Sequence, residues 1–339
     1  MMNSTTLRTS LVAAAASLAL VLSACSSGHS GDPPNPGAAT GGAGTSASGK
    51  HHTIAFVPGC TCDPYYSTET AGFQAAAKAA GATAIVQGPA NFQASEQIPV
   101  LQAVVQKKPD AIVIDPTDAT ALAAPIEAAI ARGIPVMTTG NNARTDKIFT
   151  AIAAGSVKGG RLGGQELIKQ APQGGDVVFV HIKPGITSID DRDKGFKQAF
   201  GGQTAYNVLP ELYASQDSAT QAAGLVQAAI SAHPRLVAIF ASNVITAEGA
   251  ANAVRAAGKA GRIAVVGYDA SAQEVTHLRA GNLTALVSQN PYTIGQLAVQ
   301  NTVKYLDGDR SIPKDQPLDP VIVTKDNLND PAIQNTLYK

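Results

Sequence analysis

Short apolar runs alternate with alanine-rich stretches along the chain from residue 53 onward. The first four runs are TIAFV, TAIVQG, DAIVIDP and IPVMTTG, and the stretches between them, such as STETAGFQAAAKAAG, have helical propensity. Strands that alternate with helices favour a parallel sheet with helices on both faces, and continuous apolar runs are typical of strands buried on both sides. The sequence therefore predicts an α/β fold with a doubly wound parallel sheet.

The alternation begins a second time further along the chain. DVVFVHI, NVLPELYA, LVAIFAS, IAVVGYD and LTALVSQ are further strand candidates separated by helical segments. Two sheets of similar size predict two lobes with a cleft, and we expect the chain to cross between them near residues 153–156 and near Gln289. The N-terminal lobe is expected to comprise residues 51–154 plus 290–318, and the C-terminal lobe residues 155–289 plus 319–339.

The first 50 residues differ in composition from the rest of the chain. Arg8 precedes LVAAAASLALVLSA, a run typical of a secretory signal peptide, and the run ends in LSAC, which is similar to a bacterial lipobox. We therefore expect residues 1–24 to be a lipoprotein signal peptide and Cys25 to be lipidated, although an ordinary signal peptide with a chance cysteine is the alternative. Residues 25–50, rich in Ser, Gly, Ala and Pro, are expected to form a flexible tether, so that the protein is anchored at the outer face of the cytoplasmic membrane.

Charge and motifs disfavour several classes of function. The formal net charge is zero, so there is no basic excess to hold a phosphate backbone, and we expect no nucleic-acid partner. The sequence contains no G-x-S-x-G, H-E-x-x-H or P-loop motif, and no G-x-G-x-x-G after a strand. These observations favour a binding protein without cofactor or metal over an enzyme.

The segments that follow the predicted strands contain aspartate, asparagine, glutamine, arginine and tyrosine. Ligands of open α/β sheets bind beyond the carboxyl ends of the strands. Carboxylates accept hydrogen bonds from hydroxyls, amides both donate and accept, and an arginine donates to two adjacent oxygens. Tyrosine rings can pack against the C–H face of a sugar ring. This composition indicates a ligand with several hydroxyl groups.

From about Thr53 to about Thr324 the chain resembles periplasmic sugar-binding proteins of the ribose-binding type, which are type I periplasmic binding proteins and serve ABC importers. The matching stretches, in order, are TIAFV with DPYY, KKPDAIVIDPTD, GIPVMTTGNN, TSIDDRDKGF, AHPRLVAIFASN, VVGYD and LVSQNPYTIG. The resemblance implies two lobes joined by a three-strand hinge, a monomer, and capture of a monosaccharide or sugar alcohol for an ABC transporter permease. A sugar sensor of the same fold that signals to a membrane partner is the alternative.

The resemblance also implies which residues bind the ligand. Asn243 and Asp269 precede helical segments, so a helix cap is an alternative role for both. Gly140 and Asn141 stand where ribose receptors have an Asp-Arg pair, and Gln216 or Asp217 replaces an aromatic residue, so another pentose, a hexose or a sugar alcohol fits as well as ribose. The implied ligand-binding residues are Asp63, Tyr65, Tyr66, Asn141, Arg192, Asn243, Tyr268, Asp269 and Gln289.

Two cysteines stand directly before this set, in PGCTCDPYY. On an extended segment Cys60 and Cys62 are too far apart for a disulfide, although a turn would bring them closer, and a metal site would lack ligands nearby. We expect free, partly buried thiols that shape the pocket wall. Asp115 and Asp118, in DPTD, are expected to be turn and cap residues.

Overall fold

The computed structural model describes residues 50–214 and 218–338. The predicted signal peptide, Cys25 and the tether up to residue 49 lie outside the described residues, and so do Gln216 and Asp217. Within the described residues, no helix is both long enough and apolar enough to cross a bilayer.

The first sheet has five parallel strands in the order β2-β1-β3-β4-β5. β3 is buried along its whole length, as expected for a strand covered on both faces. The strands are β1 (Thr53–Val57), β2 (Thr83–Val86), β3 (Ala111–Ile114), β4 (Val136–Gly140) and β5 (Ala151–Ala153), and the helices between them are α1 (Pro64–Ala79), α2 (Ala94–Gln106) and α3 (Ala123–Ala131).

Among the described residues, the second sheet has the order β12-β11-β10-β9-β6-β7. β8 pairs with the end of β6, after the part of β6 that pairs with β7, and only β12 runs antiparallel. Its strands are β6 (Gly175–His181), β7 (Tyr206–Val208), β8 (Leu212–Tyr213), β9 (Leu236–Ala241), β10 (Ala264–Tyr268), β11 (Ala285–Ser288) and β12 (Val321–Val323). The helices of this part of the chain are α4 (Ser156–Gln170), α5 (Thr187–Phe200), α6 (Ala219–Ala232), α7 (Val244–Ala256), α8 (Ala272–Ala280), α9 (Pro291–Leu306) and α10 (Pro331–Gln334).

The strand predicted over NVLPELYA forms as two short strands, β7 and β8, on either side of Pro210. Proline lacks the backbone N–H that a ladder requires, so the pairing with β6 is interrupted there. The other predicted strands and helices form in the predicted order, whereas β5 and β12 are strands that the sequence pattern did not predict. The α/β fold with two lobes is confirmed.

The chain passes between the two sheets at three places: from β5 to α4, from β11 to α9, and in the segment that leads to β12. In the last of these, Gln316 N donates to Ala151 O and Leu318 N donates to Ala153 O, both at 2.9 Å, so this segment lies beside β5 before the chain enters β12. We call the part around the first sheet, with α9 packed on it, the first lobe, and the part around the second sheet the second lobe.

One helix pair in each lobe packs through backbone contact at glycine. A Cβ at Gly295 of α9 would lie 2.1 Å from Glu69 O of α1, and a Cβ at Gly160 of α4 would lie 1.9 Å from Arg192 O of α5. Only glycine allows such close approach. These two helix–helix contacts fix the positions of α1 and α5, two helices that begin at the cleft between the lobes.

Candidate ligand-binding site

A cavity lies between the lobes, at the carboxyl ends of strands from both sheets, where open α/β sheets place ligands. The cavity is small: its volume of about 40 Å³ for water centres corresponds to about three water molecules, at roughly 10 to 15 Å³ each. The lining residues are Asp63, Tyr65, Tyr66, Phe92, Asp115, Gly140 and Asn141 from the first lobe, Ile182, Ile186, Ser188, Ile189, Arg192, Asn243 and Asp269 from the second, and Gln289 at a crossing.

The start of α1 brings Asp63 and the two tyrosines to the cavity. Asp63 is the N-cap of this helix and accepts a hydrogen bond from Tyr65 N at 2.9 Å, with Pro64 at the first helical position. Tyr65 and Tyr66 pack edge to face, with ring centroids 5.1 Å apart, and Phe92 stacks on Tyr66 at 6.2 Å. The helix start therefore supplies one carboxylate and an aromatic wall.

The loop before this helix contains a disulfide between Cys60 and Cys62, with the Cα atoms 5.3 Å apart. The expectation of free thiols was wrong. The loop bends instead of running extended, and Thr61 N donates to Pro89 O at 2.9 Å, which holds the bend against a neighbouring loop. Because the sulfurs are bonded to each other, they are not available as thiolate ligands, and within the described residues no group of three or more His, Cys, Asp or Glu could hold a metal ion.

Asp115 and Asn141 form a buried pair in the first lobe. Asn141 Nδ2 donates to Asp115 Oδ1 at 2.7 Å, and Asn141 N donates to the same oxygen at 3.2 Å. A Cβ at Gly140 would lie 2.1 Å from Asp115 Oδ2, and the backbone at Gly140 has φ +57°. The structure thus places Asp115 in the cavity wall rather than in a turn, whereas Asp118 accepts from Thr120 N and Ala121 N as a turn residue does.

Arg192 is the only basic side chain among the described residues that line the cavity. It is 5% exposed, its Nη1 donates to Ser242 O at 2.6 Å, and its guanidinium carbon lies 3.7 Å from the centre of the Tyr268 ring. Tyr268 was predicted to contact the ligand, but it lies behind Arg192 and does not line the cavity. β10 ends at Tyr268, and it is the next residue, Asp269, that lines the cavity. Tyr268 therefore supports the guanidinium from beneath.

Asn243 and Asp269 both line the cavity, and Asn243 is also a helix cap. Its Oδ1 accepts from Thr246 N at 3.0 Å in a capping box at the start of α7, so the same side chain caps this helix and lines the cavity. Asp269 has φ +104°, a conformation unfavourable for a residue with a side chain. Gln289 Nε2 and the hydroxyl of Tyr338 both donate to Asp269 Oδ1, each at 2.5 Å.

Hydrogen bonds join the two lobes beside the cavity. Ser188 N donates to Asn141 Oδ1 at 3.0 Å, and Asn142 N donates to Thr187 Oγ1 at 3.0 Å. Both hydrogen bonds connect the end of β4 to the start of α5, so Asn141 links the first-lobe carboxylate Asp115 to the second lobe. The lobes are closed on each other in this structure.

Burial raises the pKa values of the first-lobe carboxyls. The pKa of Asp63 is raised to about 7, by burial first and by the charge of Asp269 second. The pKa of Asp115 is also raised to about 7 by burial, although Asn141 opposes the shift by hydrogen bonding. Behind them, burial and then the charge of Asp115 raise the pKa of Glu69 well above its usual range. At neutral pH the carboxyls of Asp63 and Asp115 are therefore partly protonated.

Four buried polar atoms of the cavity-lining residues have no hydrogen-bond partner among the described residues: Asp115 Oδ2, Gln289 Oε1, Arg192 Nε and the hydroxyl of Tyr65. Buried polar groups are normally paired, because an unpaired group costs about 1 to 3 kcal/mol. Two of these atoms are acceptors, Arg192 Nε is a donor and the hydroxyl can do both, so a ligand with several hydroxyl groups could pair all four.

Residues 54–310 match the family model described as periplasmic binding protein domain. The ribose import binding protein of Salmonella typhimurium is 31% identical over 273 residues, covering 80% of this chain and 90% of that protein. The fructose import binding protein of Bifidobacterium longum is 28% identical over 316 residues, covering 90% of each chain.

Solved structures of solute-binding proteins are also similar to this chain. An ABC transporter solute-binding protein from Agrobacterium vitis, crystallised with α-D-tagatopyranose, is 35% identical with a TM-score of 0.82 over 85% of this chain and 99% of that one. A carbohydrate transporter solute-binding protein from Agrobacterium radiobacter, in complex with D-arabinose, is 27% identical with a TM-score of 0.80 over 85% of this chain and 99% of that one. By its fold, its interlobe cavity and these matches, the chain belongs to the periplasmic binding proteins, with the ribose-binding type among its relatives.

Proposed function

We propose that the protein captures one monosaccharide or sugar alcohol in the interlobe cavity and delivers it to the permease of an ABC transporter. The observation that carries this proposal is the wall of the cavity. It combines three acidic side chains (Asp63, Asp115, Asp269) with one guanidinium and three aromatic rings (Tyr65, Tyr66, Phe92) around one small cavity. Hydroxyl groups pair with the first two kinds of group and the C–H face of a sugar packs on the third.

Capture proceeds by closure of the lobes about the three crossings. In the open protein Arg192 is separated from Asp63 and Asp115, and each carboxyl is hydrated. Closure removes water from all three side chains, so it is favourable only when the ligand's hydroxyl groups replace the lost hydrogen bonds. The closed pair of lobes then presents one surface to the permease.

The names and bound ligands of the relatives narrow the candidates. Relatives are named import binding proteins for ribose and fructose, and neighbours were crystallised with tagatose, arabinose and fucose. Pentoses and hexoses, ketoses among them, are therefore the first ligands to test. Because the matched relatives are import proteins, transport is favoured over a sensor that signals to a membrane partner.

We further propose that the nine residues named from the sequence form or support the binding site, and that the domain boundaries follow the crossings between the sheets. The lipobox supports attachment through Cys25 at the outer face of the cytoplasmic membrane. We also propose that the protein is a monomer. Replacing Cys25 with alanine is expected to release the protein from the membrane fraction, and a variant that stays there would contradict the anchor.

A thermal-shift screen over pentoses, hexoses and polyols tests the ligand class. A ligand that binds only the folded protein raises the midpoint by mass action, by the equivalent of about 2.7 kcal/mol at 100 times its dissociation constant. We expect one or a few monosaccharides to raise the midpoint strongly, with disaccharides as the negative control because the sugars bound in the neighbouring structures are monosaccharides. If no monosaccharide or polyol shifts the midpoint, the proposed function is wrong.

A further inference from the structure

Tyr338 contacts the binding site from a segment that lies outside residues 54–310, the part of the chain matched by the family model. Its hydroxyl donates to Asp269 Oδ1 at 2.5 Å, 69 residues away in the sequence. Tyr338 is 6% exposed, and burial followed by the nearby charge of Asp269 raises its pKa well above its ordinary value. The phenol therefore remains protonated at neutral pH and can donate.

The segment that carries Tyr338 is hydrogen-bonded to the second lobe beside two residues that line the cavity, Asp269 and Gln289. Tyr338 N donates to Ala270 O at 3.0 Å, directly after Asp269, and Ser288 Oγ donates to Thr336 O at 2.8 Å, directly before Gln289. Asp269 and Gln289, whose side chains are hydrogen-bonded to each other, are thus each next to a residue that contacts this segment.

Asp269 requires such support because its backbone is strained. Its φ of +104° is rare for a residue with a side chain and persists only where the surroundings hold it. Gln289 and Tyr338 both donate to Oδ1, so this oxygen is occupied and the orientation of the carboxylate is fixed. Oδ2 is left to accept from a ligand in the cavity that Asp269 lines.

Tyr338 also reaches towards the first lobe. Its ring and that of Tyr65 lie 6.1 Å apart, centre to centre, at 67° to each other, which is an edge-to-face contact. Tyr65 lines the cavity from the opposite wall. One side chain from outside the matched region therefore touches a ligand-facing residue in each lobe.

We propose, resting on the proposed function, that Tyr338 is a positioning residue that orients the Asp269 carboxylate toward one ligand hydroxyl and so sets selectivity among sugars. Sugars that differ at this hydroxyl are told apart because a fixed carboxylate cannot turn to accept from a neighbouring position. A carboxylate free to rotate would accept from either position with similar strength.

The test is Tyr338→Phe, which removes only the hydroxyl. The matched control is Tyr206→Phe, since the Tyr206 hydroxyl also makes a hydrogen bond within the protein, to Ala171 O at 2.7 Å, but lies away from the cavity. Affinities are measured by calorimetry for D-ribose, D-arabinose, D-fructose, D-tagatose and D-allose. We expect Tyr338→Phe to weaken the best sugar about tenfold and to narrow its preference over the others by a similar factor, and Tyr206→Phe to leave every ratio unchanged.

Crystal structures of the two sugar-free variants give a second readout that needs no ligand. The Asp269 carboxylate is expected to rotate in Tyr338→Phe and to keep its orientation in Tyr206→Phe. If the natural protein binds sugar and Tyr338→Phe keeps the same affinities and ratios, the inference is overturned while the proposed function stands. If no sugar binds the natural protein, the proposed function fails, and an unmoved carboxylate in the variant then overturns the positioning role as well.

Discussion

The two walls of the cavity carry different charges. The first-lobe wall has two carboxyls, Asp63 and Asp115, and among its described lining residues no basic side chain, whereas the second-lobe wall has Arg192 together with Asp269. Burial raises the pKa of both first-lobe acids, and the charge of Arg192 across the cleft opposes that shift. The second-lobe cation therefore acts on acids of the first lobe.

The walls also differ in how they hold their acids. In the second lobe Asp269 accepts from Gln289 and Tyr338, two neutral donors on one oxygen. In the first lobe Asp115 accepts from Asn141, a neutral donor as well. Among the described lining residues the basic side chain lies in the second lobe, and variants of either wall can test that division.

Arg192→Ala should have the largest effect. The guanidinium is buried over Tyr268 and lines the cavity, so its removal takes away the donors that it offers to ligand hydroxyls. A hydrogen bond from a charged group is worth about 1.5 to 3 kcal/mol, and a guanidinium can make two, so we expect affinity for the best sugar to fall by about 100-fold or more. Calorimetric titration measures the change.

Arg310→Ala is the matched control, because Arg310 also stacks on a tyrosine, with its guanidinium carbon 4.0 Å from the centre of the Tyr305 ring. It does not line the cavity, and its loss should leave affinity unchanged. Equal affinities for natural protein and Arg192→Ala would show that the second-lobe cation is not needed for binding.

Gly140→Ala tests the first-lobe wall. A Cβ at this position would lie 2.1 Å from Asp115 Oδ2, and the backbone has φ +57°. We expect the free energy of unfolding to fall by about 2 to 3 kcal/mol, from strain and displacement of Asp115 together, and sugar affinity to fall roughly tenfold. Denaturant titration and calorimetry measure the two effects.

Gly133→Ala separates strain from displacement. Gly133 has φ +84°, but a Cβ at this position would meet no atom within 4 Å, so only backbone strain of about 1 kcal/mol is expected and no change in affinity. If the two variants lose the same stability and neither loses affinity, the contact between Gly140 and Asp115 does not shape the site.

Most of the site could be located from the sequence because strand ends are readable. Each apolar run predicts where a strand ends, and Asp63, Asn141, Asn243 and Asp269 all follow such runs closely. The position of Tyr268 behind Arg192 could not be read from VVGYD. β10 ends at Tyr268 and Asp269 has φ +104°, so the alternation of strand side chains does not extend to Asp269.

Other parts of the site depend on tertiary contacts that no local pattern reveals. Asp115 looked like a turn residue in DPTD, but its partner Asn141 is 26 residues away. The bend that allows the Cys60–Cys62 disulfide is held by Thr61 N and Pro89 O, which come from loops far apart in sequence. Tyr338 follows Asp269 by 69 residues in a segment without a strong pattern. Such contacts follow from packing, which the order of elements does not specify.

The raised pKa values of the first-lobe acids predict a pH dependence of stability. Asp63 and Asp115 have ordinary pKa values of 3.8 and values of about 7 in the folded protein. Folding therefore takes up protons, so their contribution to stability is full below pH 3.8 and is lost as the pH rises through about 7. We expect Asp115→Asn, which keeps the shape but not the charge, to be about 1 to 2 kcal/mol more stable than the natural protein at pH 8 and to have a shallower pH profile.

Urea unfolding at pH 5, 6, 7 and 8 measures this profile. Asp118→Asn is the control, because Asp118 accepts from nearby turn N–H groups and its loss should shift the whole curve without changing its slope. A natural protein whose stability rises between pH 5 and 8 would contradict the proposed protonation of the first-lobe wall.

Loss of the disulfide should have the smallest effect and should be confined to the first lobe. Cys60 and Cys62 are separated by two positions in the sequence, and for so short a loop the chain-entropy model gives about 1 to 2 kcal/mol. The double variant Cys60→Ser/Cys62→Ser should lower the free energy of unfolding by that amount, and with it the unfolding midpoint. It should weaken sugar binding only a few-fold, because Asp63 keeps its own cap contact with Tyr65 N. Dithiothreitol should lower the midpoint of the natural protein to that of the double variant and leave the variant unaffected. If the reductant lowers both midpoints equally, the two sulfurs are not joined, and the first-lobe loop is held by Thr61 and Pro89 alone.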